Sequence, residues 1–578
     1  RNMPRVMSRG DVDAALAKAD VTITREYRTP VALHTALETH GAVADWNADQ
    51  LTVWESTQGI FMTRADLARE LELPLSKVRV IKNYMGGGFG AKNGAPHSTY
   101  IAALLSRKLG RPVRCMLDRE GEQIDAGNRP STRQRVTIGA KRDGTLTAIV
   151  LDATINLGIG GWLGGPGRIY HELYQCPNVR TTETFVYTNA GAMASFRAPG
   201  HTEGAFGLEC AMDALARELK VDPLDLRRRN YAESDQDKKR RYSHKGLKAC
   251  YDEGARRIGW SKRSEAKDES VRRGYGMASV VWGAGGGPPA YASVRLNRDG
   301  SIDVLTGSQD LGTGSRTILA QIAAEQLGAR LEDVRTVLGD TERLPYSPNS
   351  WGSITTASVG PAVRVAAEEA RLVLMEAASA MMDAKPQELH AEKSVIHSGE
   401  KSMTFAQVCD KLGEVMIMGH GSRGANPEGT AIAAFAAQFA EVDVDIETGQ
   451  VRVRRIVSVH DSGRIINPLL ATSQVEGGVI QGLGYALFEE RIMDHRLGQP
   501  MNPTMHDYKI PTFADIPKIE TVFVGPPDTV ANHTGAKGLA EPPIIGVAPA
   551  IANAVANALS RDVTEIPLTP WRILAALE

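Results

Sequence analysis

Cysteine is scarce in this chain of 578 residues: there are five, at Cys115, Cys176, Cys210, Cys250 and Cys409. No two form a CxxC pair. Spacing this wide excludes a local zinc or iron–sulfur motif and a disulfide-dense scaffold, and it fits small buried hydrophobes. No run of eighteen apolar residues is present, so no segment reads as a membrane span. An excess of one charge is also missing, with 67 Lys and Arg against 68 Asp and Glu. That argues against a general binder of nucleic acid or membrane surface. Low-complexity runs are absent although glycine is abundant, at 57 residues. The glycines therefore serve tight turns and close backbone approach. No signal-peptide pattern is visible, and the chain opens Arg1-Asn2-Met3. The expectation is an internal point of a longer product or a processed start.

A chain this long exceeds what one core supports, so two large lobes are expected. The polar stretch 261–270 is the linker candidate, giving lobes at 1–265 and 272–578. Hairpins are read at 43–54, 133–152, 290–305 and 439–459, each around Asn, Asp or Gly turn residues. Helices are read near 63–73, 96–109, 203–219, 317–327, 361–382 and 547–559, with Pro74 and Gly110 as stops. The mixture predicts an α+β fold, with two elongated lobes, rather than one doubly wound sheet.

Glycine-rich loops punctuate both halves. Gly86-Gly87-Gly88-Phe89-Gly90-Ala91 follows a strand, precedes a helix and has Asp118 after the next strand, the outline of a dinucleotide fingerprint. Three adjacent glycines and a long spacing to Asp118 count against it. Further loops run over 306–314, 351–358, 474–484 and 282–289. Those that open helices present free N–H groups to an anion. The most informative stretch is Gly535 to Pro543, where Glu541 sits in a stiff backbone ahead of two prolines. It reads as a base poised at a large anionic cofactor, or as a helix-entry carboxylate stabilised by the macrodipole.

The strings MGGGFGAK (85–92), ASFRAPG (194–200), QDLGTG (309–314), SITTAS (353–358), QVEGGVIQGLG (474–484) and KGLAEPP (537–543) occur in this order. In that order they resemble the molybdopterin-binding subunit of the xanthine dehydrogenase and aldehyde oxidase family, the molybdenum hydroxylases. The bacterial aldehyde oxidoreductases are the most similar branch, and the resemblance covers nearly the whole chain.

The resemblance implies two molybdopterin-binding lobes with the cofactor between them. It also implies that a small preceding hammerhead domain lies outside this chain, in a partner or in the rest of a longer subunit. Molybdenum is held by the pterin dithiolene, so no residue of the chain is a metal ligand. Glu541 becomes the base that activates the metal-bound hydroxide, hydride passes to a sulfido ligand, and Arg197 stabilises negative charge on the substrate. The implied cofactor contacts are Gln58, Gly88, Phe89, Gly90, Arg197, Gln309, Gly312, Thr313, Gly314, Ser353, Thr355, Thr356, Ser358, Gln474, Gln481, Lys537 and Gly538. The pterin is expected in its cytosine dinucleotide form, with iron–sulfur clusters and FAD on partner chains, in the bacterial cytoplasm or periplasm.

Asn93 stands where purine-oxidising relatives carry a glutamate, which favours aldehydes over purines. Aromatic N-heterocycles or purines remain the alternative substrates, and a non-catalytic cofactor-binding or assembly subunit the alternative role. No cysteine lies in the arginine loop, which speaks against a copper–sulfido carbon monoxide site.

Overall fold

The computed structural model describes residues 3–161, 164–263, 270–494 and 496–578. The middle of the linker candidate, 264–269, lies outside the described residues, as do Arg1 and Asn2. The fold is α+β, built on two large sheets of long strands and two small ones of short strands, beside three minor sheets of two or three strands among the described residues.

The first large sheet has the order Met3–Arg9, Asn178–Tyr187, Leu146–Gly158, Thr132–Ala140, Val21–Thr29. The second has the order Val271–Gly283, Ala433–Asp445, Val451–Asp461, Lys518–Phe523. Helix His201–Leu219 packs on the first sheet and helix Val547–Leu559 on the second. Gly274 and Gly276 allow the second approach: a Cβ at either would lie about 2 Å from the helix backbone, at 1.9 Å from Ala554 O and 2.2 Å from Ala554 N. One apolar cluster joins both sheets and both helices, so the halves share a core. Segment Pro542–Leu559 is long and apolar enough to cross a membrane, but it is 89% buried inside this core.

A buried ion cluster fastens the halves together. Arg227 donates Nε to Glu209 Oε2 (2.9 Å) and Nη1 to Asp213 Oδ1 (2.6 Å). Glu209 Oε2 also accepts the Ser279 N–H (2.7 Å), and Asn553 Nδ2 donates to Met277 O (3.0 Å) and Glu209 O (3.2 Å).

The two small sheets repeat one topology. In each, a hairpin leads to a helix, a strand parallel to the hairpin's second arm, another helix, and a strand antiparallel to the first arm. The first copy uses Gly41–Asn47, Gln50–Glu55, Val78–Ile81 and Val113–Met116; the second uses Tyr291–Leu296, Ile302–Leu305, Val334–Val337 and Ile417–Ser422. Lys82 N–H to Gly339 O (2.8 Å) and the Arg79–Asp340 pair (2.6 Å) join the copies. The strands flanking Gly86–Ala91, Val78–Ile81 and Val113–Met116, are therefore opposite edges of one mixed sheet rather than neighbours in a parallel one. Asp118 is the N-cap of helix Arg119–Asp125, accepting the Gly121 N–H, so the dinucleotide outline is a coincidence of spacing.

Three elements differ from the sequence expectation. Residues 474–484 are not a loop but the middle of helix Pro468–Leu487. Their glycines admit neighbours, as at Gly478, where a Cβ would lie 2.5 Å from Pro543 and 3.0 Å from Arg197 Nη2. Helix Thr355–Met382 starts six residues before Pro361, which sits inside it. Proline leaves the carbonyl four residues back without its helical donor. Here that carbonyl, Ala357 O, is satisfied by the distant Arg423 Nε at 2.9 Å. Strand Val271–Gly283 absorbs the start of the expected 282–289 loop.

Candidate active site

A cavity of about 1110 Å3 lies where the small sheets meet the large ones, and residues from both halves line it. Its wall includes Gln58, Gly88, Phe89, Gly90 and Arg197 from the first half. The second half contributes Gly312, Thr313, Ser353, Thr355, Thr356, Gln474, Lys537, Gly538 and Glu541.

The turn at 86–91 is shaped by a single amide. Gln58 Oε1 accepts the Gly90 N–H (2.7 Å) and the Lys92 N–H (3.3 Å), while Nε2 donates to Ser350 O (2.9 Å). Phe89 has a φ of 53° and Ser353 a φ of 62°; in the arginine loop Ala198 has 56°. Left-handed backbone at non-glycine residues costs of order 1–3 kcal/mol each and clusters at functional sites. Gly90 has a φ of 107°, and a Cβ there would lie 2.4 Å from Ser195 O. We expect Gly90→Ala to fold but to purify with several-fold less bound cofactor, because the turn must shift about an ångström. Undiminished cofactor content would contradict this.

Glu541 occupies the N-cap position of the short helix Pro542–Ile545 without a side-chain capping bond, and donates its N–H to Ser353 Oγ (2.9 Å). The residue is 8% exposed, and Oε2 has no hydrogen-bond partner among the described residues. Burial pushes the carboxyl up to about 7, while the Arg197 charge and the N–H groups of Glu541 and Gly352 pull it back down. Arg197 is pulled down to about 10 by burial, with Glu541 opposing.

Arg197 spends its nitrogens on the wall. Nε donates to Ala540 O (2.5 Å), Nη1 to Gln481 Oε1 (2.9 Å) and Nη2 to Gln474 O (2.8 Å). It clamps the residue before Glu541 to helix Pro468–Leu487 and, as part of the lining, offers the cavity its charge. Gln481 is correspondingly the support of Arg197 and does not line the cavity.

Three other expected contacts stand behind the wall. Gln309 is fully buried, with Nε2 on Gly307 O (2.6 Å), and Ser350 donates to its backbone carbonyl (2.9 Å). Ser358 Oγ accepts the Gly287 N–H (3.1 Å), which holds the 282–289 loop. At Gly314 a Cβ would lie 2.4 Å from Leu470, so this glycine serves packing. Lys537 contributes to the wall, but its ammonium is turned to Asp461 (3.3 Å) and Asp528 (3.6 Å).

Two N–H groups of the 306–314 loop, and one just beyond it, are taken by a side chain. Asp310 accepts from Gly312 (3.0 Å), Gly314 (3.1 Å) and Arg316 (3.1 Å). One uncapped helix start at the cavity is that of Thr355–Met382, whose Thr355 and Thr356 line it. Sequence reasoning missed Ser350 and Asn467. Asn467 caps helix Pro468–Leu487 through Leu470 N–H (3.0 Å), and Asn followed by Pro was its readable signal.

These features fit an anionic, flat cofactor. Glu541 of the wall carries a buried carboxylate oxygen without a partner, an uncapped helix start offers N–H groups to phosphate, and a glycine turn leaves room for close approach. Among the described residues, no group of three or more His, Cys, Asp or Glu is placed to hold a metal ion.

Residues 1–231 and 253–517 each match a family model described as molybdopterin cofactor-binding domain. The chain is 35% identical over 581 residues to the aldehyde oxidoreductase molybdenum-binding subunit PaoC of Escherichia coli, covering 98% of this chain and 77% of that protein. It is 33% identical over 600 residues to the xanthine dehydrogenase molybdenum-binding subunit of the same species, covering 98% and 78%. Quinoline 2-oxidoreductase from Pseudomonas putida 86 superposes with a TM-score of 0.90 at 26% identity, covering 99% of this chain and 78% of that one.

Proposed function

Because this chain belongs to the molybdopterin-binding subunits of the molybdenum hydroxylases, a family of molybdenum-dependent oxidoreductases, we propose that its own reaction is the oxidation of aldehydes to carboxylic acids with oxygen drawn from water. When bound, molybdenum–molybdopterin supplies the two-electron oxidation and the transferable oxygen. The Gln58-braced turn at Gly88–Gly90, the helix start at Thr355–Thr356, Ser353 and Gly538 would hold it, in the cytosine dinucleotide form.

The observation that carries the reading is the partnerless Oε2 of Glu541 in this cavity. Near pH 7 it is divided between acid and base, the condition in which a carboxylate both takes and returns a proton well. Its geometry is fixed by Ser353 on one side and by Arg197, through Ala540, on the other. The Arg197 charge offsets negative charge that develops beside it. Asn93 supports aldehydes over purines. It lines the cavity as a neutral amide, with Nδ2 on Gly90 O (3.0 Å) and a buried, unpartnered Oδ1. The five dispersed cysteines supply no cluster motif, so iron–sulfur and flavin subunits are the proposed electron route.

Metal analysis with dye reduction tests this. The purified complex should contain molybdenum and reduce dye with benzaldehyde in preference to hypoxanthine. Preference for hypoxanthine would move the assignment to purines. A stable, metal-free, inactive complex would favour an assembly role.

A further inference from the structure

A charged part of the cavity wall is not used by this chemistry. Arg168, His201 and Trp282 line the cavity. They connect to the Glu541 backbone through a continuous series of contacts. Ser353 accepts the Glu541 N–H, and the adjacent Gly352 O accepts the Trp282 Nε1–H (3.1 Å). The His201 ring meets the Trp282 ring edge-on at 4.8 Å. His201 Nε2 lies 3.1 Å from Glu172 Oε2, and Arg168 Nε donates to Glu172 Oε1 at 2.6 Å. Burial disfavours the Glu172 charge, yet His201 and Arg168 hold this carboxyl down at about 2. Glu172 is thus a fixed anion that orients Arg168 through one nitrogen only. The Arg168 side chain is 58% exposed, and its two terminal nitrogens have no hydrogen bond among the described residues.

A second feature lies behind helix Arg168–Glu172. The charged residues lining a surface cavity there are Arg9, Lys239, Arg240, Arg241 and Glu233, the last paired with Lys248, and Tyr242 OH reaches Glu172 O at 3.5 Å. Arg9 is paired with Asp237, and Lys238 with Asp235. Lys239, Arg240 and Arg241 have no carboxylate partner among the described residues. On a chain of net charge −1 this is a local cationic excess, which raises the local concentration of anions by focusing the field.

We propose that this region selects substrates bearing a carboxylate at the end remote from the reacting carbon, with Arg168 as the carboxylate's partner and Lys239, Arg240 and Arg241 as steering charges. A guanidinium with two free terminal nitrogens matches a carboxylate in a paired, planar fashion. The substrate class named here, a carboxylated aldehyde, rests on the aldehyde reading above; the carboxylate site itself does not.

The test compares 4-formylbenzoate with benzaldehyde in the holoenzyme and measures terephthalate binding by calorimetry. Wild type should favour 4-formylbenzoate in kcat/KM. Arg168→Gln should reduce that preference by about tenfold, the scale of a charge-assisted hydrogen bond. Arg168→Lys should fall between, keeping the charge without the fork. Replacing Lys239, Arg240 and Arg241 together by Gln should flatten the salt dependence of kcat/KM for 4-formylbenzoate alone. Terephthalate should bind about tenfold more weakly to the Arg168→Gln protein than to wild type. Terephthalate binding that is absent, or indifferent to Arg168, would overturn the inference, as would equal losses for both aldehydes. If neither aldehyde is turned over but terephthalate binding still depends on Arg168, the aldehyde reading falls and the carboxylate site stands.

Discussion

Replacing Glu541 by Gln should lower kcat for aldehyde oxidation by about 10²- to 10⁴-fold, the usual contribution of a positioned proton acceptor, while molybdenum content stays at the wild-type level. The amide keeps the size of the side chain and the backbone bond to Ser353, so the fold and the cavity wall are preserved. What is lost is the capacity of Oε2 to take a proton. Retained turnover in the metal-loaded variant would remove Glu541 from the chemistry.

The same carboxyl makes a stability prediction with a definite sign. Burial raises its folded-state value from 4.5 to about 7, so the folded protein holds this proton more tightly than the unfolded chain. The resulting stabilisation is complete below pH 4.5 and is lost as the pH rises through about 7. A rise of this size corresponds to about 3 kcal/mol. Glu541→Gln fixes the neutral form. The cofactor-free variant should therefore melt above wild type at about pH 8.5 and show little gain at about pH 5.

Arg227→Met is the second large effect, and it acts on stability. Arg227 is fully buried between Glu209 and Asp213, whose carboxyls burial pushes up and the guanidinium pulls down. Removing the cation leaves two buried carboxylates facing apolar surroundings, a loss of about 3–5 kcal/mol for breaking one partner of a buried pair. Because Glu209 also holds Ser279, the loss should loosen the contact between the halves and lower cofactor retention as well. Arg227→Lys should rescue little, since an ammonium cannot span Glu209 Oε2, Asp213 Oδ1 and the Glu209 carbonyl together. An unchanged unfolding midpoint for Arg227→Met would contradict the role assigned to the cluster.

Much of this architecture was legible because local signals and tertiary structure agree. Strand Val78–Ile81 and helix Val547–Leu559 fall where alternation and apolar composition put them, and Gly110 ends helix His97–Leu109 in a left-handed conformation. The local backbone at Glu541 was legible for a related reason, since the two prolines after it restrict their own φ and the conformation of the residue before them. What stayed hidden depends on partners far away in sequence. The true start of helix Thr355–Met382 requires Arg423 to satisfy Ala357 O, 66 residues away. The glycines of 474–484 look like a loop until Pro543 and Val547 are seen packed against them. Asp310 is the exception, a local turn in which its carboxylate accepts from Gly312, Gly314 and Arg316, two, four and six residues on. The division of labour between Arg197 and Gln481, 284 residues apart, is likewise a property of the assembled wall.

The central claim is that this cavity holds the metal-bearing pterin with the Glu541 carboxylate facing the metal. Anomalous diffraction from holoenzyme crystals at the molybdenum absorption edge measures it directly. The account predicts one strong peak inside the cavity, beside Phe89 and within reach of Glu541 Oε2. A peak elsewhere in the molecule, or one in the cavity from which Glu541 is turned away, would contradict it.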